Sequence, residues 1–418
     1  MPLSNDVLAL LRTPKFWRFQ LGSIAASFAQ AMFGTAIGWD LYERTHSAFL
    51  LGLVGLVQFI PVVLLALPAG QVVDRYDRSR VLMGAIALHV VGVLGLVAAT
   101  HLGAPLPVFY ACLFLSGVAQ AFSGPARAAI LPRLVPKELL ARAVTWNTTA
   151  WQLTYLIGPA LAGLFIGATR RADTIYLFDA VACIFFLLML AGLKAPPLQS
   201  NKQAPTWTDA LVGLKFVMRT ELMLGAITLD MFAVLLGGAV VLLPVFAKDV
   251  LAVGPQGLGW LIAAPSLGAA LTSIVLSALP PIRRNGPVLL WGVAGFGLAT
   301  VGFALARDPL LAWTMLFLTG VCDTLSVVIR VNLATILTPD EMRGRVEAVH
   351  RIFIGTSNEL GGFESGVTAA WWGPVRSVLF GGIGTLLVVG MVAWRSPALR
   401  RLGVIKAEEA PHAASVSS

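Results

Sequence analysis

Six acidic side chains stand inside stretches that are otherwise almost free of charge: Asp40, Asp179, Asp230, Asp323, Glu359 and Glu364. A carboxylate in an apolar, intermittently wetted setting favours its neutral form, so it can take up a proton in one conformation and release it in another. Each charge at the centre of a membrane helix costs roughly 2.5–3.5 kcal/mol on insertion scales, so each one retained needs a reason. A second reading of each stays open. Asp323 can simply hydrogen-bond a neighbouring helix, and Asp40 and Asp179 lie close enough to the ends of their stretches to be hydrated. Glu359 and Glu364 flank Gly361-Gly362 in SNELGGFESG. Glycines there permit close helix approach or a bend, and either acid can be a ligand contact or a gate hydrogen bond.

The elements that hold these groups are membrane spans. Of 418 residues, 57% are hydrophobic and only 12% are charged, too little polar surface for a soluble protein of this size. Apolar windows of about 20 residues number twelve, at 17–42, 49–73, 81–100, 107–131, 145–168, 174–193, 223–247, 256–279, 287–306, 310–336, 350–372 and 377–395. The N-terminal 15 residues lack the features of a cleaved signal peptide. Basic residues outnumber acidic ones 30 to 21, yet they fall in short loops, which reads as a topology signal and not as a nucleic-acid patch. Twenty-one of the 30 lie on one side and six on the other, which predicts that both termini are cytoplasmic.

The chain repeats itself at an offset of 203. Arg127, Pro136, Glu138 and Arg142 match Arg330, Pro339, Glu341 and Arg345, Ser123 matches Ser326, and Gly117 matches Gly320. With one residue of drift, Gly55 and Pro61 match Gly259 and Pro265. A duplication predicts two six-helix bundles, residues 1–193 and 223–396, facing each other across a midplane cavity suited to alternating access. Between them, 194–222 reads as a cytoplasmic linker. Its Trp207, Ala210, Leu211, Leu214 and Val217 fall on one face of a surface helix, with Thr206 and Asp209 as a capping pair. Residues 397–418 read as a disordered tail. Arg127 and Arg330 are each expected to pair with a loop carboxylate of their own half. Trp39, Trp146, Trp151, Trp260, Phe28 and Phe59 can line a pocket for an amphipathic molecule or pack in the core or bilayer interface.

Other chemistries find no support. The three cysteines, Cys112, Cys183 and Cys322, lie in apolar segments without CxxC spacing and read as small hydrophobes. The histidines show no metal-ligand spacing, so neither a metal nor a cofactor is expected, and His89 reads as a satisfied packing residue. No Gly-Lys dipeptide exists to build a phosphate-cradling loop, and no G-x-S-x-G or HExxH occurs. An enzyme is not expected. Transport driven by a proton gradient is.

GQVVDRYDRSR, from Gly70 to Arg80, resembles the cytoplasmic signature G-x-x-x-D-R-x-G-R-R of the major facilitator superfamily, with Asp77 where that family usually has Gly. GPALAG, with Gly158, Pro159 and Gly163, is similar to part of the antiporter motif of drug exporters, although Thr145 and Thr154 replace its upstream glycines. PARAAILPRLVP, TPDEMRGRV and SNELGGFESG resemble the enterobactin-exporter-like branch, which includes macrolide efflux proteins. The resemblance implies an all-helical fold of two pseudo-symmetric six-helix bundles in the bacterial inner membrane. It also implies export of a siderophore-like or drug-like molecule by a monomer whose other partner is the bilayer. It further implies a cytoplasmic gate in which Asp74 faces the positive start of span eleven, while Arg75 and Arg78 meet acids of neighbouring loops. Arg127, Arg330, Glu138, Glu341, Arg142 and Arg345 belong to the same gate. An importer or lipid flippase of the same fold, and a non-transporting scaffold or sensor, are the alternative expectations.

Overall fold

Apolar runs that have no water to satisfy their backbone must close their own hydrogen bonds. In the computed structural model, which describes residues 13–193, 207–280, 282–339 and 342–403, every described element is accordingly a helix. In chain order they are α1 (Pro14–Thr45), α2 (Ala48–Leu64), α3 (Ala66–Arg75), α4 (Arg78–His101), α5 (Leu106–Ile130), α6 (Leu140–Thr169) and α7 (Asp173–Leu190). After the linker come α8 (Trp207–Arg219), α9 (Glu221–Leu236), α10 (Gly254–Ala278), α11 (Asn285–Leu305), α12 (Pro309–Leu337), α13 (Arg343–Trp372), α14 (Pro374–Arg395) and α15 (Pro397–Arg401).

Ten helices among the described residues are long and apolar enough to cross a membrane, and α2 with α3 forms an eleventh span bent by 52°. The bend follows from Pro68, whose missing N–H and bulky ring disrupt the helical bond to the carbonyl of Leu64. The thirty-residue α13 occupies the place of the predicted span at 350–372 but is not in that count; Asn358, Glu359 and Glu364 interrupt its apolar run. Predicted span seven is not one continuous helix. It breaks at Gly237-Gly238 and resumes as short 3-10, α and π turns from Ala239 to Val250.

The chain divides into two compact units, Met1–Glu43 with Val54–Pro205 and Arg44–Leu53 with Thr206–Ser418. In the first, α4 packs along α5 and α7. Phe16 and Phe19 of α1, Leu82 and Ile86 of α4, Ile130 of α5 and Phe186 of α7 meet in one buried core. At one end Arg171 grips Asp173 at 2.7 and 3.2 Å, and His101 reaches the same carboxylate at 3.2 Å, tying the end of α4 to the start of α7. That carboxylate holds the Arg171 guanidinium above its ordinary pKa. In the second unit Leu289 of α11, Ile329 and Leu333 of α12, and Val346 and Val349 of α13 build the equivalent core. Large apolar side chains such as Trp291, Leu310 and Trp394 point outward, as a bilayer-facing surface requires.

Two expectations change. The buried face of α8 is Gly213, Phe216 and Val217, while Leu211 is exposed. Gly213 leaves room for the main chain of Arg345, which a Cβ there would meet at 2.7 Å, and this close approach rolls the helix onto α13. Thr206 lies outside the described residues. The predicted tail is helical at α15, with Leu399 fully buried and Asn285 Nδ2 donating to the Gly403 carbonyl at 2.8 Å. Residues 404–418 lie outside the described residues.

The repeat shows as a shared packing device. Gly117 of α5 lies against the backbone of Gln58 and the ring of Pro61, and Gly320 of α12 lies against the backbone of Pro265. A Cβ at Gly320 would overlap the Pro265 carbonyl. Gly320→Val is therefore expected to lower stability by about 1–3 kcal/mol through forced overpacking, measured by thermal unfolding in lipid nanodiscs. Wild-type stability would mean that the α10–α12 seat yields freely.

Candidate functional site

Arg330 sits about two turns before the C-terminal end of α12 in a buried place, with only 5% of its side chain exposed. It makes an ion pair with Asp230 of α9 and a second, looser one with Asp323, about two helical turns back on α12, at 3.7 Å. Its Nε–H also donates to the Ser326 carbonyl at 3.4 Å. Asp230 is 12% exposed, whereas Asp323 is 49% exposed and lines a cavity of 240 Å³. The helix break at Gly237-Gly238 forms part of the same cavity wall, with Phe296, Thr300 and Asn358. Thus two of the carboxylates singled out for proton chemistry converge on one arginine. The loop carboxylate expected for Arg330 is replaced by carboxylates of the spans, because Arg330 points inward along α12.

The first unit holds the counterpart. Arg127 of α5 donates from Nη1 to Ser27 Oγ of α1 at 3.3 Å, and its guanidinium lies over the Phe186 ring at 5.1 Å. Ser27 precedes Arg127 by 100 residues, as Asp230 precedes Arg330, and Gln120 stands where the repeat places Asp323. The offset of 203 therefore relates the two clusters residue by residue, with both carboxylates of the second replaced by neutral groups in the first. The expected loop carboxylate is missing here too: among the described residues no carboxylate comes within 4 Å of Arg127, and its buried Nε has no partner. Arg127 instead lines a cavity of 380 Å³ with Gln20, Ser23, Ser27, Gln30 and Asn147. Trp151 and Tyr155 complete its aromatic side.

Asp179 is fully buried, not hydrated as its position near a span end suggested, because α7 turns it inward toward α4. Its Oδ2 lies 2.8 Å from His89 Nε2, and Cys183 Sγ donates to its Oδ1 at 3.9 Å. These three side chains form a cluster with ligand atoms within 4.8 Å of one another. Their sequence separations conceal this, and a hydrogen-bonded buried pair accounts for the contacts. Cys112 and Cys322 lie beside Gly95 and Gly295, as small packing residues do.

The remaining candidates scatter. Asp40 accepts a hydrogen bond from Tyr176 at 3.0 Å. Glu359 and Glu364 are half-buried on α13, outside the lining of the Asp323 cavity. Gly361 packs against the Leu235 carbonyl, where a Cβ would stand at 2.7 Å. Trp151 alone of the six named aromatics lines the first-unit cavity, Phe28 faces a separate apolar groove, and Trp146 packs edge-on against Trp17.

In the loop between α3 and α4, Arg78 does not reach an acid of a neighbouring loop among the described residues. It pairs with Asp74 of its own loop at 3.4 Å and donates to the Val73 carbonyl at 3.2 Å, since the two residues stand four apart. Arg75 is exposed, and Asp77 caps α4 by accepting from the Arg80 N–H at 3.1 Å. That capping role accounts for an acid where glycine was expected. Gly70 has open space around it, and Glu138 and Arg345 are exposed while Arg142 is half-buried. Glu341 lies outside the described residues. Gly158, Pro159 and Gly163 are buried in α6, with Gly158 against Ala31 of α1.

A family model described as Major Facilitator Superfamily matches residues 20–357. The enterobactin exporter EntS of Shigella boydii serotype 4 (strain Sb227) is 27% identical over 391 residues, covering 92% of each chain. The exporter of the same name from Escherichia coli O157:H7 matches to the same extent. The structure of the nucleoside transporter NupG superposes with a TM-score of 0.71 at 13% identity, covering 92% of this chain and 98% of that one. A bacterial homolog of the human lysosomal transporter Spinster, inward-facing and unoccupied, gives 0.70 at 13% identity, covering 94% and 100%.

Proposed function

This chain belongs to the Major Facilitator Superfamily and is a multi-pass membrane transporter, not an enzyme; from that premise we propose that it is a proton-coupled exporter of a small amphipathic molecule. The carrying observation is Arg330 held between two carboxylates, one sealed and one open to a cavity. With Asp323 protonated, Arg330 pairs wholly with Asp230. When Asp323 gives up its proton it competes for the same guanidinium, so proton binding changes which side chains α9 and α12 share. Such a switch couples a proton to rocking of the two halves. Asp323 is the proton carrier in this reading and Asp230 the fixed counterion. Export is favoured by the likeness to the enterobactin exporters and by GPALAG. The proton gradient is the energy source, without cofactor, in a monomer of the bacterial inner membrane with cytoplasmic termini. The substrate is siderophore-like or drug-like.

Proteoliposomes test this with enterobactin, the molecule for which the relatives are named, or with a cationic dye. Exchange of substrate for protons predicts accumulation when the lumen is acidic, whichever way the protein is inserted. Accumulation with an alkaline lumen would make the chain a symporter and remove the export reading. Uptake indifferent to the gradient would remove coupling.

A further inference from the structure

We propose that the 380 Å³ cavity of the first unit is an anion-binding subsite, in which Arg127 receives an acidic group of an amphipathic substrate. This rests on the transport reading above and adds the chemical class of the cargo. The argument starts from the repeat. The same arginine occurs twice, and in the second unit the protein supplies its counterions itself, from Asp230 and Asp323. In the first unit the corresponding places hold Ser27 and Gln120, and among the described residues the arginine has a 3.3 Å bond to a hydroxyl and a ring beneath it.

A cation inside a membrane helix without a counterion is costly, and a guanidinium presents a planar fork that carboxylates and phosphates match. Asp179 acts on Arg127 only from a distance, since its two oxygens are engaged by His89 and Cys183. The rest of the wall is built to match. Gln20, Ser23, Ser27 and Gln30 project from α1 into the cavity, where the repeat places Met223, Ala226, Asp230 and Ala233 in α9. Gln20 is 1% exposed and its Oε1 has no partner, so a buried amide there awaits a polar group. Trp151 and Tyr155 give the opposite side aromatic surface for the apolar part of the ligand. An acid head on Arg127, further polar groups on the α1 stripe and a ring against Trp151 together describe an aromatic or amphipathic monoanion.

The test is equilibrium binding to the full chain in nanodiscs, using 1-naphthoate and its neutral isostere 1-naphthamide. The naphthoate is expected to bind tighter. Arg127→Gln should weaken naphthoate by about thirtyfold, the lower range for removing one partner of a buried charge pair, while naphthamide, which can offer only a neutral acceptor, weakens far less and Arg127→Lys retains part of the preference. Ser27→Asp is the sharper variant. It installs the counterion that Arg330 already has, and should abolish the naphthoate preference while naphthamide still binds, which also reports that the variant is folded. Equal binding of the two probes by the wild type, or a preference that survives both Arg127→Gln and Ser27→Asp, overturns the subsite. No gradient is involved, so this outcome is read independently of coupling. Loss of the preference here leaves the Asp323 cluster untouched, and gradient-indifferent flux leaves this subsite untouched.

Discussion

Asp230→Ala is expected to destabilise the second unit by about 3–5 kcal/mol, the range for removing one partner of a buried ion pair. The loss exceeds the worth of the pair because Arg330, 5% exposed, is left as a buried charge. Asp323 can compensate only in part, since it stands at 3.7 Å and half its side chain faces the cavity. Replacing both partners, as Asp230→Ala with Arg330→Leu, should recover most of the stability, because no uncompensated charge remains. Thermal unfolding of the three variants in nanodiscs reads this directly. A single variant as stable as the wild type would show that Asp230 is no counterion at all, and the division of roles between the two carboxylates would fall with it.

Asp323→Asn is expected to behave in the opposite way, keeping the fold and losing the work. The amide keeps a hydrogen-bonding oxygen for Arg330 and leaves the pair with Asp230 in place, so unfolding should shift little. It cannot carry a proton, and substrate accumulation driven by a pH gradient should drop to the level of protein-free vesicles. Exchange of labelled for unlabelled substrate without a gradient should persist, which separates loss of coupling from loss of binding. Gradient-driven accumulation retained by Asp323→Asn would remove Asp323 from the proton path and leave Glu359 or Glu364 as the groups to examine.

The spans and the duplication are legible in the sequence because their signals are collective: some twenty apolar residues must fill a bilayer, and Arg127-to-Arg142 repeats in register as Arg330-to-Arg345. The partners of the two arginines are not legible in the same way. Ser27 and Asp230 each lie 100 residues before the arginine they meet, and a motif read along the chain points to loop acids nearby. Neutral polar residues are harder still. Gln20, Ser23, Ser27 and Gln30 recur at helical spacing on one face of α1, but a search for charge passes over them. Their significance emerges when α1 is set beside α9 at the offset of 203. The fully buried state of Asp179 depends on a partner, His89, ninety residues away, and nearness to a span end says nothing about which way the helix turns it.

The break at Gly237-Gly238 bears on how a proton could reach Asp323. The Ala239 N–H turns to the Gly237 carbonyl at 2.6 Å instead of to that of Leu235, so the last turn of α9 gives up part of its internal bonding. Backbone groups released inside a bilayer have to be solvated by something, and this break shares its cavity wall with Asp323. The released Leu235 carbonyl stands against Gly361 of α13, while Gly237 to Val241 border the cavity, so water at this point is expected to be held by the main chain, independent of any charged side chain. Amides from Gly238 to Leu242 should then exchange hydrogen for deuterium well ahead of those in the unbroken α12, and under the proposed coupling a wetted break would be the medium through which Asp323 trades its proton.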